Sequence, residues 1–359
     1  MDCDFLIIGG GIAGISAAAS LSGLGRVLLL EAEDQLAHHA SGRSAALYEP
    51  NYGLAPVVAL SHAGAGALRA AAGGVLSPRG MMIVADHDGG AAFAADVAAM
   101  AMVPIGPDEA RAMVPILDPA TLAHAAYGDH AWDIDTDRLI QHYARTAKAA
   151  GGRIVTAARV SSIRRLAGGW AVVTPAGEVS GRLLVDAAGP WADAVAAMAG
   201  VAPLGLTPLR RSMVRIAAPG GHDVSRWPMI FGAGETWYAK PDAGALIVSP
   251  AEEDASHPHD AWPDDMVLAE GLARYQAHVT PEVTRPLATW AGLRTFAPDR
   301  VPVIGPDRQV PGFFWLAGQG GYGFQTAPAA SGLVADLIGG RAPDLDGATV
   351  AALSPARFG

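Results

Sequence analysis

The sequence has 359 residues, of which 51% are hydrophobic and 17% charged, with a formal net charge of −10. Its length exceeds what a single core usually fills, so two lobes are expected, and a charged share below the usual ~25% describes a compact fold rather than disordered chain. The acidic balance and the lack of a basic run exclude a nucleic-acid backbone as partner, and a single cysteine, Cys3, excludes an internal disulfide and cysteine-rich zinc sites.

Along the chain, Asp4 to Ile8 reads as a short buried parallel strand, Ile12 to Leu24 as an Ala- and Leu-rich helix ending at Gly25, and Arg26 to Leu30 as a second buried strand closing at Glu31. A helix is expected over Pro56 to Ala72, a strand over Met81 to Val84 and a helix start at Asp108. Another helix is expected from Asp135 to Ala150, strands at Ile154 and from Val160 to Arg164, and β character from Trp170 to Val173 and from Leu183 to Asp186. Trp191 to Ala199 reads as a helix, 206–296 as several strands with one helix from Met266 to His278, and the tail as two short strands before a helix from Tyr322 to Ile338. Nothing repeats, and nucleotide-type elements recur at the start, middle and end. The expected fold class is therefore α/β: a Rossmann-like dinucleotide-binding domain from 1–50, 138–205 and 298–359, interleaved with a β-rich α+β substrate domain from 51–137 and 206–297. The acidic start is unlike a secretory leader, and no run supplies the ~18 apolar residues of a membrane span, so a cytoplasmic protein is expected.

Gly9-Gly10-Gly11-Ile12-Ala13-Gly14 matches G-x-G-x-x-G between strand and helix. Gly9 permits the tight turn, Gly11 the approach of a pyrophosphate and Gly14 close helix packing, with the phosphates at the helix N-terminus. Glu31, followed by Ala32, stands where a carboxylate accepts from ribose hydroxyls, which disfavours NADP. The fingerprint serves NAD and FAD alike. Ser41-Gly42-Arg43-Ser44-Ala45 supplies hydroxyls, small residues and a cation able to wrap phosphates and a flavin edge. Val160 and the small-residue turn Ala188-Gly189-Pro190-Trp191 supply further contacts. Gly320-Gly321-Tyr322-Gly323, with Gln325 and Thr326, opens the last helix, whose dipole favours the negative charge of a reduced flavin. An ordinary turn or helix cap is the alternative at each of these later positions. The 11 histidines are dispersed, so no metal site is expected, and His257-Pro258-His259 reads as a surface loop.

Together, His39 to Ala46, Leu206 to Ser212, Trp290-Ala291-Gly292-Leu293-Arg294, Phe314-Trp315 and Gln319 to Gly323 resemble the FAD-dependent D-amino acid oxidase superfamily, most closely the bacterial catabolic D-arginine dehydrogenases. The resemblance implies non-covalent FAD, and Arg294 and Arg211 holding a substrate carboxylate. It also implies Tyr52 and Tyr238 flanking the site, and Gly321 bordering flavin and substrate. A guanidinium fork suits a carboxylate and cannot lose its charge. The alternatives are a structural ion pair for each arginine and a packed aromatic for each tyrosine. Arg210 and Arg211 alternate on a strand, so only one points inward.

Two departures from the arginine-using relatives stand out: Leu47 replaces a histidine, and Gly80-Met81 follows Ser77-Pro78-Arg79 where those relatives carry a glutamate. Loss of that counter-ion favours neutral or hydrophobic substrates, with Leu47 and Met81 as pocket residues; the alternative is that Met81 and Met82 are plain core residues on a strand, which leaves specificity open. The expected reaction is hydride transfer from Cα to FAD, with the imino acid then hydrolysed to a 2-oxo acid and ammonia. The electron acceptor is a quinone, another carrier or oxygen. Rival readings are oxidation of a secondary amine such as sarcosine or proline, a non-catalytic FAD-binding subunit, and an NAD-linked dehydrogenase.

Overall fold

The computed structural model describes residues 1–283 and 285–359; Thr284, inside the segment expected over 206–297, lies outside the described residues. The fold is α/β, with strands in three sheets among the described residues. The first, of eight strands, runs Ser162–Leu166, Gly169–Thr174, Gly177–Asp186, Cys3–Ile8, Val27–Leu30, Arg153–Val155, with Phe313–Ala317 pairing both Gly177–Asp186 and Val303–Pro306. Cys3–Ile8 pairs in parallel with both neighbours. Both faces of this strand are covered, which is why its sequence is apolar throughout rather than alternating. Phe5 and Ile7 pack with the helices Ile12–Leu21, Thr136–Ala149 and Gly323–Gly339, while Leu6 and Ile8 pack with Ala192 and Val195 on the opposite face.

The second sheet has nine strands, in the order Asp254–Ala255, Thr207–Ala217, Ala245–Ser249, Tyr238–Asp242, Met229–Gly232, Met81–Ala85, His124–Gly128, Val103–Ile105, with Pro286–Phe296 pairing Thr207–Ala217. Its two faces carry different cores. Met82, Val84, Ile230 and Val248 pack with Trp237 and Tyr275 behind the sheet, whereas Met81, Met229, Phe231 and Tyr238 form the cluster on the other face. The period of two in each strand thus decides which side chains turn toward the first lobe. A small third sheet, Leu47–Tyr48, Trp132–Ile134 and Leu76–Pro78, joins the two.

Several element ends differ from the sequence expectation for local reasons. The first helix stops at Leu21 rather than Leu24, with Ser22 as its cap and Gly23 following. The strand expected from Val160 begins at Ser162. Asp135 and Asp264 cap their helices through the backbone N–H groups of Arg138 at 3.0 Å and of Met266 at 2.9 Å. No described helix is long and apolar enough to cross a membrane.

The turn after the first strand depends on two glycines. Gly9 has φ +107°, and a Cβ there would strike the Ala187 carbonyl; a Cβ on Gly14 would strike the Gly9 carbonyl oxygen. Helix and strand can meet this closely only without side chains. Gly14→Val should therefore cost at least the ~1–3 kcal/mol of overpacking. A thermal melt followed by circular dichroism is expected to show a Tm several degrees lower, at roughly 2–4 °C per kcal/mol. An unchanged Tm would contradict this packing.

Candidate active site

Three cavities adjoin one another, lined by residues of and beside the two larger sheets. The first is lined by Gly9, Gly11, Glu31, Ala32, Val160, Ala188, Gly189 and Trp191. The second shares Gly11, Ser41 and Gly189 with it and continues past Ile12, Ala13, Arg43, Ser44, Arg211, Gly320, Gly321 and Gly323 to Arg294. The third shares Ser44, Arg294 and Gly321 with the second, and is closed by Ala45, Leu47, Tyr52, Met81, Tyr238, Glu235, Gln325 and Glu49. Most residues singled out in the sequence thus border one continuous trench. Four do not line it. Gly14 and Gly42 shape the turns behind it, a Cβ on Gly42 striking the Ala37 carbonyl. Tyr322 packs its ring 5.4 Å from Tyr52, and Thr326 is spent on the Tyr322 carbonyl at 2.9 Å.

At the first cavity Glu31 accepts from the backbone N–H groups of Gly10 at 2.5 Å and Glu33 at 2.8 Å, so its carboxylate also holds the glycine turn together. On the rim, Glu33 bonds His39 at 3.0 Å and Arg159 at 2.9 Å, and the His39 ring lies 4.7 Å from Trp191. The first helix has no side-chain cap at Gly11. The Ser41 hydroxyl accepts from Ile12 N–H at 3.0 Å, and the helix end otherwise faces the cavity as an anion site. Arg43, whose loop was expected to wrap phosphates and a flavin edge, lines the second cavity and gives its guanidinium to the carbonyls of Ala261 at 2.8 Å and Ala291 at 3.0 Å and to Asp260. Those partners are distant in sequence and were invisible to a local reading.

The third cavity contains the charge cluster. Thr207–Ala217 and Pro286–Phe296 are antiparallel, Leu209 facing Arg294 and Arg211 facing Gly292. Arg211 and Arg294 are consequently diagonal neighbours on one face. Arg211 is 2% exposed, whereas Arg210 turns outward to Asp254 at 2.7 Å. Glu235, which the sequence reading missed, binds both inward arginines, at 2.9 Å from Arg211 and 3.6 Å from Arg294, and accepts the Tyr52 hydroxyl at 2.8 Å. Arg211 also meets Glu253 at 3.4 Å, so its charge is met from within the protein. Arg294 makes only the longer ion pair and keeps its guanidinium toward the cavity, against Gly321.

Protonation follows from these contacts. Burial pushes the Glu235 carboxyl up, but Arg211 and Arg294 outweigh it and hold the group below the usual glutamate range. Burial, with Glu235 alongside, holds the Tyr52 hydroxyl well above an ordinary phenol. Burial opposes the charge on Arg294, yet Tyr238, Tyr52 and Glu235 around it keep the guanidinium ionised. The Tyr238 hydroxyl is buried without a hydrogen-bond partner among the described residues. Behind the wall, Lys240 reaches the Ala46 carbonyl at 3.2 Å and Asp133 at 2.8 Å, and Arg79 binds the same carboxylate at 2.7 Å. This triad fixes the Ser44-Ala45-Ala46 edge of the cavity. The only sequence signal for it was Arg79.

Residues 4–337 match the family described as FAD dependent oxidoreductase. The chain belongs to this family. Over 189 residues it is 34% identical to a glycine oxidase of Pseudomonas aeruginosa, covering 50% of this chain and 48% of that one. Over 69 residues, 19% of this chain and 15% of the other, it is 45% identical to a D-amino acid dehydrogenase of Xanthobacter autotrophicus. The chain spans only about half the length of the first of these relatives. Among solved structures, the fold matches glycine oxidase from Geobacillus kaustophilus with a TM-score of 0.82 at 24% identity, over 98% of each chain.

FAD is the family's cofactor, and the residues fit it. A Cβ on Gly11 would meet only the Ser41 hydroxyl, at 3.2 Å, so the backbone there opens onto the trench. The helix end suits a pyrophosphate, the Glu31 cavity a ribose, and the small-residue wall through Gly320 and Gly321 a flat ring.

The ion pairs at Glu235 make stability depend on pH. Its carboxyl is depressed in the folded state, so its stabilisation is complete above the usual unfolded value of about 4.3 and lost as pH falls through the lower folded value. Glu235→Gln should lower Tm at pH 7, and the gap from wild type should narrow as pH falls below about 4.3. Paired melts across that range check this; a gap independent of pH would refute it.

Proposed function

We propose that the protein uses FAD to oxidise the Cα–N bond of a small D-amino acid with a neutral or hydrophobic side chain. The observation carrying this reading is that Arg294 borders both the second cavity and the third. A carboxylate held by its guanidinium would lie within reach of a ring against Gly320 and Gly321. When bound, FAD supplies the acceptor for the Cα hydrogen, taken as hydride with its electron pair.

The protein's own groups provide the rest. Arg294 binds the carboxylate through charge-assisted hydrogen bonds and so sets the direction of the Cα–H bond. Tyr52 is oriented by Glu235, and Tyr238 offers an unpaired hydroxyl to the ligand. Arg211 acts chiefly by holding Glu235. Leu47, Met81, Met229 and Phe231 give the side chain an apolar wall, which supports a neutral or hydrophobic substrate. Water then hydrolyses the released imino acid to a 2-oxo acid and ammonia. The FAD is held non-covalently: Cys3, the only cysteine, is buried in the first sheet, with its thiol pushed up to about 11 by burial. In this reading 1–50, 138–205 and 298–359 form the FAD lobe and 51–137 with 206–297 the substrate lobe, as the sheet memberships support. A quinone, another carrier or oxygen would reoxidise the flavin.

Relatives named glycine oxidase and D-amino acid dehydrogenase support the substrate class. Anaerobic mixing of the purified yellow protein with matched D- and L-methionine, glycine, sarcosine and L-proline tests it. D-methionine is expected to bleach the flavin fastest. Fastest bleaching by sarcosine or L-proline would mean secondary-amine oxidation, and no bleaching would mean a non-catalytic subunit. Arg294→Lys keeps the charge but loses the fork, and should raise the dissociation constant for D-methionine by at least about thirtyfold, roughly 2 kcal/mol, in flavin-absorbance titrations.

A further inference from the structure

The third cavity holds a second carboxylate, Glu49, for which the roles above have no use. It follows the strand Leu47–Tyr48, is 3% exposed and lines the cavity. Its backbone N–H donates to Gln325 at 3.2 Å, which fixes the residue against the last helix. One carboxylate oxygen accepts from Asn51 N–H at 3.1 Å. The other lies 3.1 Å from His130 Nε2, and both of these buried atoms lack any further hydrogen-bond partner among the described residues. The His130 side chain is 27% exposed, so the pair runs from the cavity to the surface.

The two carboxylates of this cavity differ in kind. Glu235 is neutralised by two arginines, as described above, and is a poor proton acceptor. Burial raises the Glu49 carboxyl, although the Asn51 N–H and His130 oppose that shift. Environments that push two acids apart in this way separate an electrostatic role from a proton-transfer role. The remaining titratable or charged groups on the cavity are Tyr52, Tyr238 and Arg294. The phenol of Tyr52 is held well above its usual range and Arg294 stays a cation, so neither takes up a proton near neutral pH. Behind Glu49, Tyr48 is spent on the Ser61 carbonyl at 3.1 Å, and His62 bonds Asn51 at 3.1 Å.

An amino acid arrives chiefly as its ammonium, which has no lone pair with which to form the C=N bond. Resting on the amino-acid reading above, we propose that Glu49 takes the proton from the substrate ammonium and that His130 passes it to solvent. The N–H bond breaks as a carboxyl O–H bond forms, and the N–H electron pair stays on nitrogen; nothing is oxidised in this step. The proton moves to His130 Nε2 and leaves from the exposed side of the ring. The nitrogen lone pair then becomes the new C=N bond as the Cα hydrogen departs to FAD with its electrons. Glu49 is here a catalytic residue and His130 a positioning and relay residue.

The test is anaerobic stopped-flow bleaching of the FAD-loaded protein by saturating D-methionine from pH 6 to 10, for wild type, Glu49→Gln and His130→Ala. Glu49→Gln should be roughly 10²–10⁴ slower at pH 7, the usual worth of a general base. Its rate should climb about tenfold per pH unit and approach wild type once the amine deprotonates in solution. His130→Ala should be slowed less and be restored by added imidazole. Glu49→Gln at the wild-type rate at pH 7, or slowed equally at every pH, overturns the proposal; the second result would make Glu49 an anchor only. A loss confined to D-lysine and D-arginine also overturns it, since Glu49 would then be a side-chain counter-ion. Should Glu49→Gln fail to retain FAD, His130→Ala decides, and a wild-type profile unaffected by imidazole rejects the relay. A wild-type protein that no amino acid bleaches removes the parent reading and this one together. Wild-type bleaching with an unaffected Glu49→Gln removes this one alone.

Discussion

Two guanidinium groups placed side by side on adjoining strands are the constraint around which the site is built. Buried like charges at this spacing repel, and each loses its hydration, so the arrangement stands only if anions meet it from within. Glu235 does so, and Glu253 adds a second contact to Arg211 at 3.4 Å. The two contacts of Glu235 are unequal, 2.9 Å to Arg211 and 3.6 Å to Arg294. That inequality divides the labour: one arginine is consumed in holding the carboxylate, and the other keeps attraction for an anion from outside. The glycine at 321 follows from the same requirement: a Cβ there would press on the Arg294 guanidinium at 3.0 Å.

The trench exists because the chain crosses between the sheets several times. The first strand and helix build the anion site, and the segment from Ser41 to Tyr52 then crosses to the second lobe, lining all three cavities on the way. Later strands bring Tyr238 and Arg294, and the last helix returns to the first sheet with Gln325 at its start. Neither of the two larger sheets alone supplies the lining of all three cavities. The pins that hold the crossing segment, such as Lys240 on the Ala46 carbonyl, therefore matter as much for geometry as the groups that face the cavity.

What the sequence disclosed was local in nature. The glycine turn, Glu31 and the first helix are contiguous, and each has a mechanical reason to occur at its offset. Strand period requires that only one of Arg210 and Arg211 turn inward, and the choice of Arg211 came from the family resemblance. Glu235 escaped because Ala233-Gly234-Glu235 reads as an ordinary turn, and its partner Tyr52 lies 183 positions away. Glu49 and His130 escaped for the same reason: neither has a periodic or motif context, and only the pairing of Leu47–Tyr48 with Trp132–Ile134 brings their segments together. Arg43 is the converse case. Its motif is local and legible, but the carbonyls of Ala261 and Ala291 that take up its charge lie 218 and 248 positions away.

Selectivity in such a cavity comes from what its charges leave unsatisfied. The apolar wall of Leu47, Met81, Met229 and Phe231 gives a cationic side chain no partner, and burying one there would carry the full desolvation penalty. Glu235 is engaged by the arginines, whereas one oxygen of Glu49 accepts from Asn51 and the other has no hydrogen-bond partner beyond His130 among the described residues. Arg294 keeps surplus charge, and the Tyr238 hydroxyl has no partner among the described residues. A ligand that answers these demands carries an anion at one end and hydrogen-bonding groups close by, and presents an apolar remainder to the methionines. Since Glu235 already shares Arg294, the incoming anion must compete with an internal one. Under the proposed amino-acid reading, affinity for the carboxylate would thereby be moderated and binding energy reserved for the geometry that aligns the Cα–H bond with the flavin.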